Sequence, residues 1–407
     1  VSTRLARVPV RRIVRALADA SERWCDADFP PRVRAQRAIC ERTGYSLPVV
    51  EYALDALFQS ASAAALEAAI VDEIGSLSAL DGAVERAGRP ALHALPVGRV
   101  CVVSSRTTIG VAIPPLLFAL CAKCDVAVKD REDHFVAAFL KTAAEELEEL
   151  GTAAVAEAWS GENDARDLAA FDAVVAFGDD VSLRKIRSQA APRARFVAFG
   201  PAASIGYVAR EALADAAACT RIAAGAARDM LLYDGEGCLS LHALFLERGG
   251  AIAPAVFGEI FRTALDRASV EFPPGPLDAR AQARVANARN VAAFRVSEGR
   301  GAVIGGSAGY LALLDAPPSE PPSFLPRVVA IHCVDGPADA LAYVCAHRLP
   351  IEAIALAGNR DDVDAMALET GASRIARFGE LQRPPLGGNH GARPRIAEFV
   401  RWVTSEA

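Results

Sequence analysis

The chain has 407 residues, 52% of them hydrophobic and 23% charged, and a formal net charge of −6. That length exceeds one small core and predicts two domains. The apolar content argues against disorder, and the acidic balance argues against nucleic acid as a main partner. Nine cysteines, an odd number, are scattered along the chain rather than set in a secreted disulfide framework, which suits a reducing cytoplasm.

The opening "VSTRLARVPVRRIVRALADA" is arginine-rich but lacks the apolar core and cleavage site of a secretory signal. It reads as a basic, partly amphipathic surface segment. From Leu47 to about Ala87 the apolar spacing and many alanines predict helix. Strands and helices then alternate. "GRVCVVSS", "DVAVKD", "FDAVVAFGDD" and "ARFVAFG" read as strands, and "PPLLFALCAK", "HFVAAFLKTAAEELEEL" and "VSLRKIRSQ" as helices. That rhythm implies βαβ units on a parallel sheet, so about residues 95–206 form a nucleotide-binding block. The apolar run "TIGVAIPPLLFALCA" is short, holds Pro114 and Pro115 and ends near Lys123, so no membrane span is predicted.

A second alternating block starts near Tyr207, with proline-rich loops at "FPPGP" and "APPSEPPSFLP". The division expected is residues 1–206 for a helical opening plus the nucleotide-binding domain, and 207–383 for a catalytic domain. The tail 384–407 is expected to pack back on the first domain and to finish in a short amphipathic helix.

Within the second block, "DGEGCLSLHA" sets Cys238 on a glycine-flexed turn. Leu239, Leu241, Ala243 and Phe245 follow at alternate positions, like an incoming strand. A turn displays a thiol where a periodic core position would hide it, although cysteine also serves as a small hydrophobe. Cys121 and Cys124 form "CAKC", but no second Cys/His pair at metal spacing accompanies them, so no metal is expected. His332 and Cys333 read as core, and His242 as packing.

The order "VAVKD", "VVAFGDD", "GEGC" resembles the aldehyde dehydrogenase superfamily. "ARDMLLYDGEGCLSLHALFLE" and "RIARFGELQRPPLGGNHGARP" resemble more closely the long-chain acyl-CoA reductases of bacterial luminescence operons, the LuxC type. The resemblance implies an α/β fold of the aldehyde dehydrogenase kind, with a Rossmann-like cofactor domain and an α/β catalytic domain. It implies NAD(P)H-dependent reduction of an acyl-CoA or acyl-carrier thioester to the aldehyde through an acyl-Cys238 intermediate. The cofactor it implies is NADPH, with NADH left open, and the partners are an acyl-transferring synthetase subunit and further copies of the chain. The alternatives are a CoA-acylating aldehyde dehydrogenase running oxidatively and a non-catalytic acyl-CoA-binding partner protein.

By the same resemblance, Lys129 holds the ribose, Gly178 opens a helix beside the cofactor, and Asp179 caps that helix. Arg131 suits a 2′-phosphate, whereas Glu132 suits a free ribose diol. "SSRTTIG" puts Arg106 and Thr107 where the family has a Gly-Asn pair, leaving the Thr107 hydroxyl as an oxyanion donor beside the Cys238 backbone N–H. "RFVAFGPAAS", residues 195–204, holds no carboxylate where hydrolytic relatives carry the base that activates water. Glu236 is then the nearest alternative base. His390 and Arg393 in "GNHGARP" either reach the site or stabilise the loop.

Overall fold

The computed structural model describes residues 3–106, 108–159, 167–305 and 309–405. The chain opens with α1 (Val10–Cys25), whose apolar stripe Val10, Ile13, Val14, Leu17 and Trp24 is buried while Arg11, Arg12 and Arg15 face solvent. The expected basic surface segment is therefore a core helix, because its 3.6-residue period gathers the apolar side chains on one face. Trp24 packs against Phe58, Phe135 and Phe139 with ring centroids 5.2–6.2 Å apart, and its indole N–H donates to Thr142 Oγ1 at 3.1 Å. Full burial of each such aromatic contributes roughly 1.5–3 kcal/mol.

Helices α2 (Pro30–Thr43), α3 (Leu47–Gln59) and α4 (Ala63–Ile74) follow. Ser62 caps α4 by accepting from the Ala65 N–H, and Gly75, at φ +88°, ends it. The helix expected to continue to Ala87 stops there. Val84–Arg86 is strand β1, which pairs antiparallel with β2 (Arg89–Pro96) across Gly88. Among the described residues no single helix is long and apolar enough to cross a membrane. The bent pair α3–α4 meets the length and hydropathy only when joined, and most of its large apolar residues, Val49, Val50, Leu54, Phe58, Leu66 and Ile70 among them, lie in the core.

The next block runs β3 (Arg99–Val103), α5 (Ile113–Cys121), β4 (Asp125–Lys129), α6 (Phe135–Glu146), α7 (Glu148–Ala153), β5 (Ala154–Glu157), β6 (Ala173–Phe177), α8 (Asp180–Gln189) and β7 (Arg195–Phe199). Its sheet is parallel in the order β5-β4-β3-β6-β7. The chain turns back at β3, so the carboxyl ends of β3 and β6 flank a crevice of the kind that binds nucleotides.

The third block comprises β8 (Ala203–Val208), α9 (Ala216–Leu231), β9 (Leu241–Glu247), α10 (Pro254–Glu271), α11 (Ala279–Ser297), β10 (Ala302–Ile304), β11 (Leu311–Leu314), β12 (Val328–Val334), α12 (Pro337–Ala346), β13 (Ile351–Ala357), α13 (Arg360–Thr370) and β14 (Arg374–Ala376). The sheet order is β10-β11-β12-β9-β8-β13-β14, parallel except at β10. Every residue of β9 is buried, because α9 and α10 cover one face and α12 and α13 the other.

The chain finishes in β15 (Val400–Ser405), paired antiparallel with β2. The short helix expected there is a strand, since "VRWVTS" is β-branched and finds an open edge to pair with. Two charged groups hold the approach to it. Glu73 accepts from the N–H groups of Arg395, Ile396 and Ala397 at 2.6–2.9 Å, and Arg195 Nη1 donates to the carbonyls of Ala397, Glu398 and Val400.

Candidate active site

Between α9 and β9 the backbone makes a strained turn. Tyr233, Asp234 and Gly235 all take left-handed conformations, at φ 54°, 51° and 75°. Such a conformation costs of order 1–3 kcal/mol at a non-glycine residue and persists only where the surroundings impose it. Here a buried ion pair does so. Arg327 Nε donates to Asp234 Oδ1 at 2.6 Å, the Gly275 N–H donates to Oδ2 at 3.1 Å, and the Arg327 N–H donates to the Asp234 carbonyl at 2.9 Å. The next residues are pinned as well. The Gly237 N–H and Gln382 Nε2 both donate to Ser240 Oγ, and Ser204 Oγ donates to the Cys238 carbonyl at 2.8 Å. Cys238 thus stands half-buried just before β9, in a backbone that cannot shift easily.

Cys238 opens on a cavity of about 170 Å³. Ala53, Ala56 and Leu57 of α3 form one wall, Ile109 and Gly110 a second, and Pro384 and Pro385 of the tail a third. Glycine is required at position 110: φ is +67°, and a Cβ would sit 2.4 Å from Leu57 Cδ2. The polar end of the cavity collects Cys238, Glu236, Glu352, Arg374, His390 and Arg395.

Burial, and after it the charge of Glu352, pushes the Cys238 thiol up to about 11; the N–H groups of Cys238 and Leu239 partly offset this. Glu352 is buried, and its Oε1 accepts from Ser373 Oγ at 2.5 Å and from the Gly391 N–H at 3.1 Å. The neighbouring His390 ring lies flat on Phe199, centroids 4.1 Å apart at 11°, with Phe177 beyond it. Burial and then Arg395 lower the imidazole to about 4, against an opposing pull from Glu352. Arg395 donates through Nε to the Gly388 carbonyl at 2.6 Å, and burial brings its guanidinium down to about 10. Arg374 donates to the carbonyls of Leu381 and Glu380.

Of this group, sequence reasoning singled out Cys238, Glu236 and His390. It missed Glu352, whose one signal is a charge at the start of the otherwise apolar strand "IEAIALA". Glu236 is exposed at the cavity edge, where burial and then Asp234 raise its carboxyl above the usual range. Arg393 turns outward to Glu398 at 3.1 Å. His242 is buried, accepting at Nδ1 from the Ser204 N–H, and His332 packs between Phe245 and Tyr343. Cys121 and Cys124 are buried, with Cys124 Sγ donating to the Phe399 carbonyl. Among the described residues no group of three or more His, Cys, Asp or Glu side chains is arranged to hold a metal ion.

The expected cofactor residues lie around the crevice beside β3. Lys129 ends β4 half-buried, its Nζ 5.6 Å from the Trp159 ring centre, and burial followed by Arg131 lowers its pKa. The Arg131 N–H donates to Ser104 Oγ at 3.0 Å, and burial followed by Arg106 lowers the guanidinium. Across β3, Gly178 follows β6 and donates its N–H to the Phe199 carbonyl, while Asp179 Oδ1 caps α8 by accepting from the Ser182 N–H at 2.7 Å. Thr107 lies outside the described residues. Glu132 corrects the expectation of a ribose ligand. It is fully buried, its Oε2 accepts from the Gly110 N–H at 2.6 Å, and desolvation pushes it up to about 8. Lys129 and Arg131 are thus two partly buried cations near the carboxyl end of β4, an arrangement that suits a phosphate-bearing ligand.

A family model described as acyl-CoA reductase (LuxC) matches residues 5–402. No curated protein matches the sequence. Among solved structures, an NAD-dependent benzaldehyde dehydrogenase from Corynebacterium glutamicum aligns with 98% of this chain and 86% of its own, at 16% identity and a TM-score of 0.68. A glyceraldehyde-3-phosphate dehydrogenase from Methanocaldococcus jannaschii, complexed with NADP, aligns with 98% and 90% at 12% identity and a TM-score of 0.69. An oxidoreductase from Marinobacter aquaeolei aligns with 97% and 85% at 13% identity and a TM-score of 0.71. The fold is that of the aldehyde dehydrogenases.

Proposed function

The chain belongs to the acyl-CoA reductase (LuxC) family, and from that premise we propose that it reduces an acyl thioester to the aldehyde through an acyl-Cys238 intermediate. The observation that carries this reading is the pinned Cys238 turn opening on a cavity lined also by Ala53, Ala56 and Leu57 of α3. An acyl chain lies against Ala53, Ala56 and Leu57 with its carbonyl at the sulfur. Cys238 attacks that carbonyl, the thiol of coenzyme A leaves, and the backbone N–H of Cys238 donates to the developing oxyanion. One thioester replaces another, so the exchange is nearly balanced in energy.

When bound, the reduced nicotinamide supplies hydride. Lys129 and Arg131 hold the phosphate-bearing end and Gly178 lies along the crevice. The two cations, together with the withdrawal of Glu132 into the core, favour NADPH over NADH. Residues 195–204 offer water no carboxylate base of the kind that hydrolytic relatives carry, which favours survival of the acyl-enzyme for reduction.

The test mixes the protein with acyl-CoAs of graded length, follows NADPH and NADH absorbance and weighs the intact chain. An acyl adduct on Cys238 and cofactor oxidation are expected, and both disappear in Cys238→Ala. Turnover surviving that substitution overturns the reading.

A further inference from the structure

We propose that Arg42 and Glu132 are positioning residues for the hydride step. Together they fasten the two ends of the segment 106–110, which runs from the cofactor crevice to the Cys238 cavity. The inference rests on the acyl-Cys238 reading and names the side chains that align its second step.

The segment follows β3 at the carboxyl end of the parallel sheet and leads into α5. Thr108, Ile109 and Gly110 line the cavity on which Cys238 opens. Arg106 lies toward the cofactor cations, where its charge acts on Arg131. At that end Arg42 Nη1, from the last turn of α2, donates to the Arg106 carbonyl, and Arg42 Nε pairs with Asp133 Oδ2 at 3.0 Å. At the other end the Gly110 N–H donates to Glu132 Oε2 at 2.6 Å. Glu132 is itself set by the turn after β4, where its N–H donates to Asp130 Oδ1 at 2.8 Å.

Both grips are enclosed: the Arg42 side chain is 6% exposed and Glu132 is fully buried. Glu132 Oε1 and Arg42 Nη2 nevertheless have no hydrogen-bond partner among the described residues. Buried polar atoms left unpaired are costly, and two side chains serving stability alone would not leave them so. Holding the backbone of 106–110 in place accounts for that cost. The thiol turn is pinned by a separate set of hydrogen bonds, from Arg327, Gly275, Ser204, Ser240 and Gln382.

The two steps of the reaction therefore depend on different supports. Acylation needs the sulfur, the thioester and the Cys238 N–H, all at the turn. In the reduction, hydride passes from the nicotinamide to the acyl carbon and a solvent proton joins the oxygen. Collapse of the resulting thiohemiacetal frees the aldehyde and returns the Cys238 thiol, leaving the cofactor oxidised by two electrons. Hydride transfer requires the two carbons about 3–3.5 Å apart, and a misplacement of about 1 Å costs about 10²-fold in rate. A segment that touches both compartments, fastened at both ends, sets that separation.

The experiment measures the two steps separately. Thiol release from an acyl-CoA without cofactor reports acylation, and single-turnover oxidation of saturating NADPH by the loaded acyl-enzyme reports reduction. Glu132→Ala and Arg42→Met are each expected to acylate at close to the wild-type rate and to reduce about 10²-fold more slowly. Glu132→Gln, which keeps an acceptor for Gly110, restores reduction to near the wild-type rate. A folded Glu132→Ala that reduces at the wild-type rate overturns the proposal. An equal loss in both steps, the mark of a merely structural role, overturns it too. In the wild-type chain, saturation with the oxidised cofactor slows amide hydrogen exchange at Gly110; unchanged exchange overturns the proposal even if neither variant folds. Failure of the wild-type chain to form any adduct brings down the acyl-Cys238 reading first, and this proposal with it.

Discussion

Glu352 acts on two neighbours in the same direction, holding protons on both Cys238 and His390. In Glu352→Gln the thiol therefore ionises at lower pH. Alkylation of Cys238 by iodoacetamide, followed against pH, gives a midpoint below that of the wild-type chain; an unchanged midpoint means the carboxylate does not act on the sulfur. The Asp234–Arg327 pair works at the same scale. Arg327→Met leaves a buried carboxylate beneath a strained turn, and loss of one partner of such a pair costs about 3–5 kcal/mol. Urea unfolding measures that loss directly. Cys238 was picked out of the sequence by the resemblance of its segment to the acyl-CoA reductases; the glycines before it and the alternation after it are by themselves a weak sign. Glu132 was weighed against Arg131 as a ribose ligand because both follow the strand that ends at Lys129, and sequence adjacency says nothing about which of two neighbours turns inward.

At the scale of elements, Glu132 joins the segment between β4 and α6 to the loop before α5 by its bond to Gly110. Its carboxyl ionises near 4.5 in the unfolded chain and near 8 in the folded one. The folded state thus holds the proton more tightly, and this contribution to stability declines as pH rises from about 4.5 to 8. Glu132→Gln keeps an acceptor for Gly110 and removes the titration. Melting temperatures taken at pH 5.5 and 8.5 should fall less between the two values in the variant than in the wild-type chain. The alternating strands and helices were legible because parallel strands buried on both faces are short apolar runs between amphipathic helices. The pairing of β15 with β2 was not, because it joins segments far apart in sequence and local periodicity carries no record of a distant edge; the hairpin β1–β2 was missed because the helical reading ran on past Gly75. The cavity wall on α3 escaped for another reason: Ala53 and Ala56 read as good helix formers, and only packing shows that they line a space.

Across the whole molecule, the cavity is assembled from the N-terminal helices, the turn before β9 and the tail. Glu73 at the end of α4 secures the tail through three backbone N–H groups. Hydrogen bonds to a charged group contribute roughly 1.5–3 kcal/mol each, so Glu73→Ala releases the segment that carries His390 and Arg395. Limited proteolysis is expected to cut the variant near residues 388–395 sooner than the wild-type chain, with a parallel loss of acylation. A variant that resists cleavage as the wild type does would show that Arg195 and β15 anchor the tail without Glu73.

The bond from Gln382 to Ser240 spans 142 residues. During synthesis the thiol-bearing turn leaves the ribosome long before the proline-rich segment that walls it exists. A nascent chain halted in between carries the sulfur without one wall of its cavity, so chemical competence arrives late in biosynthesis, when that segment docks.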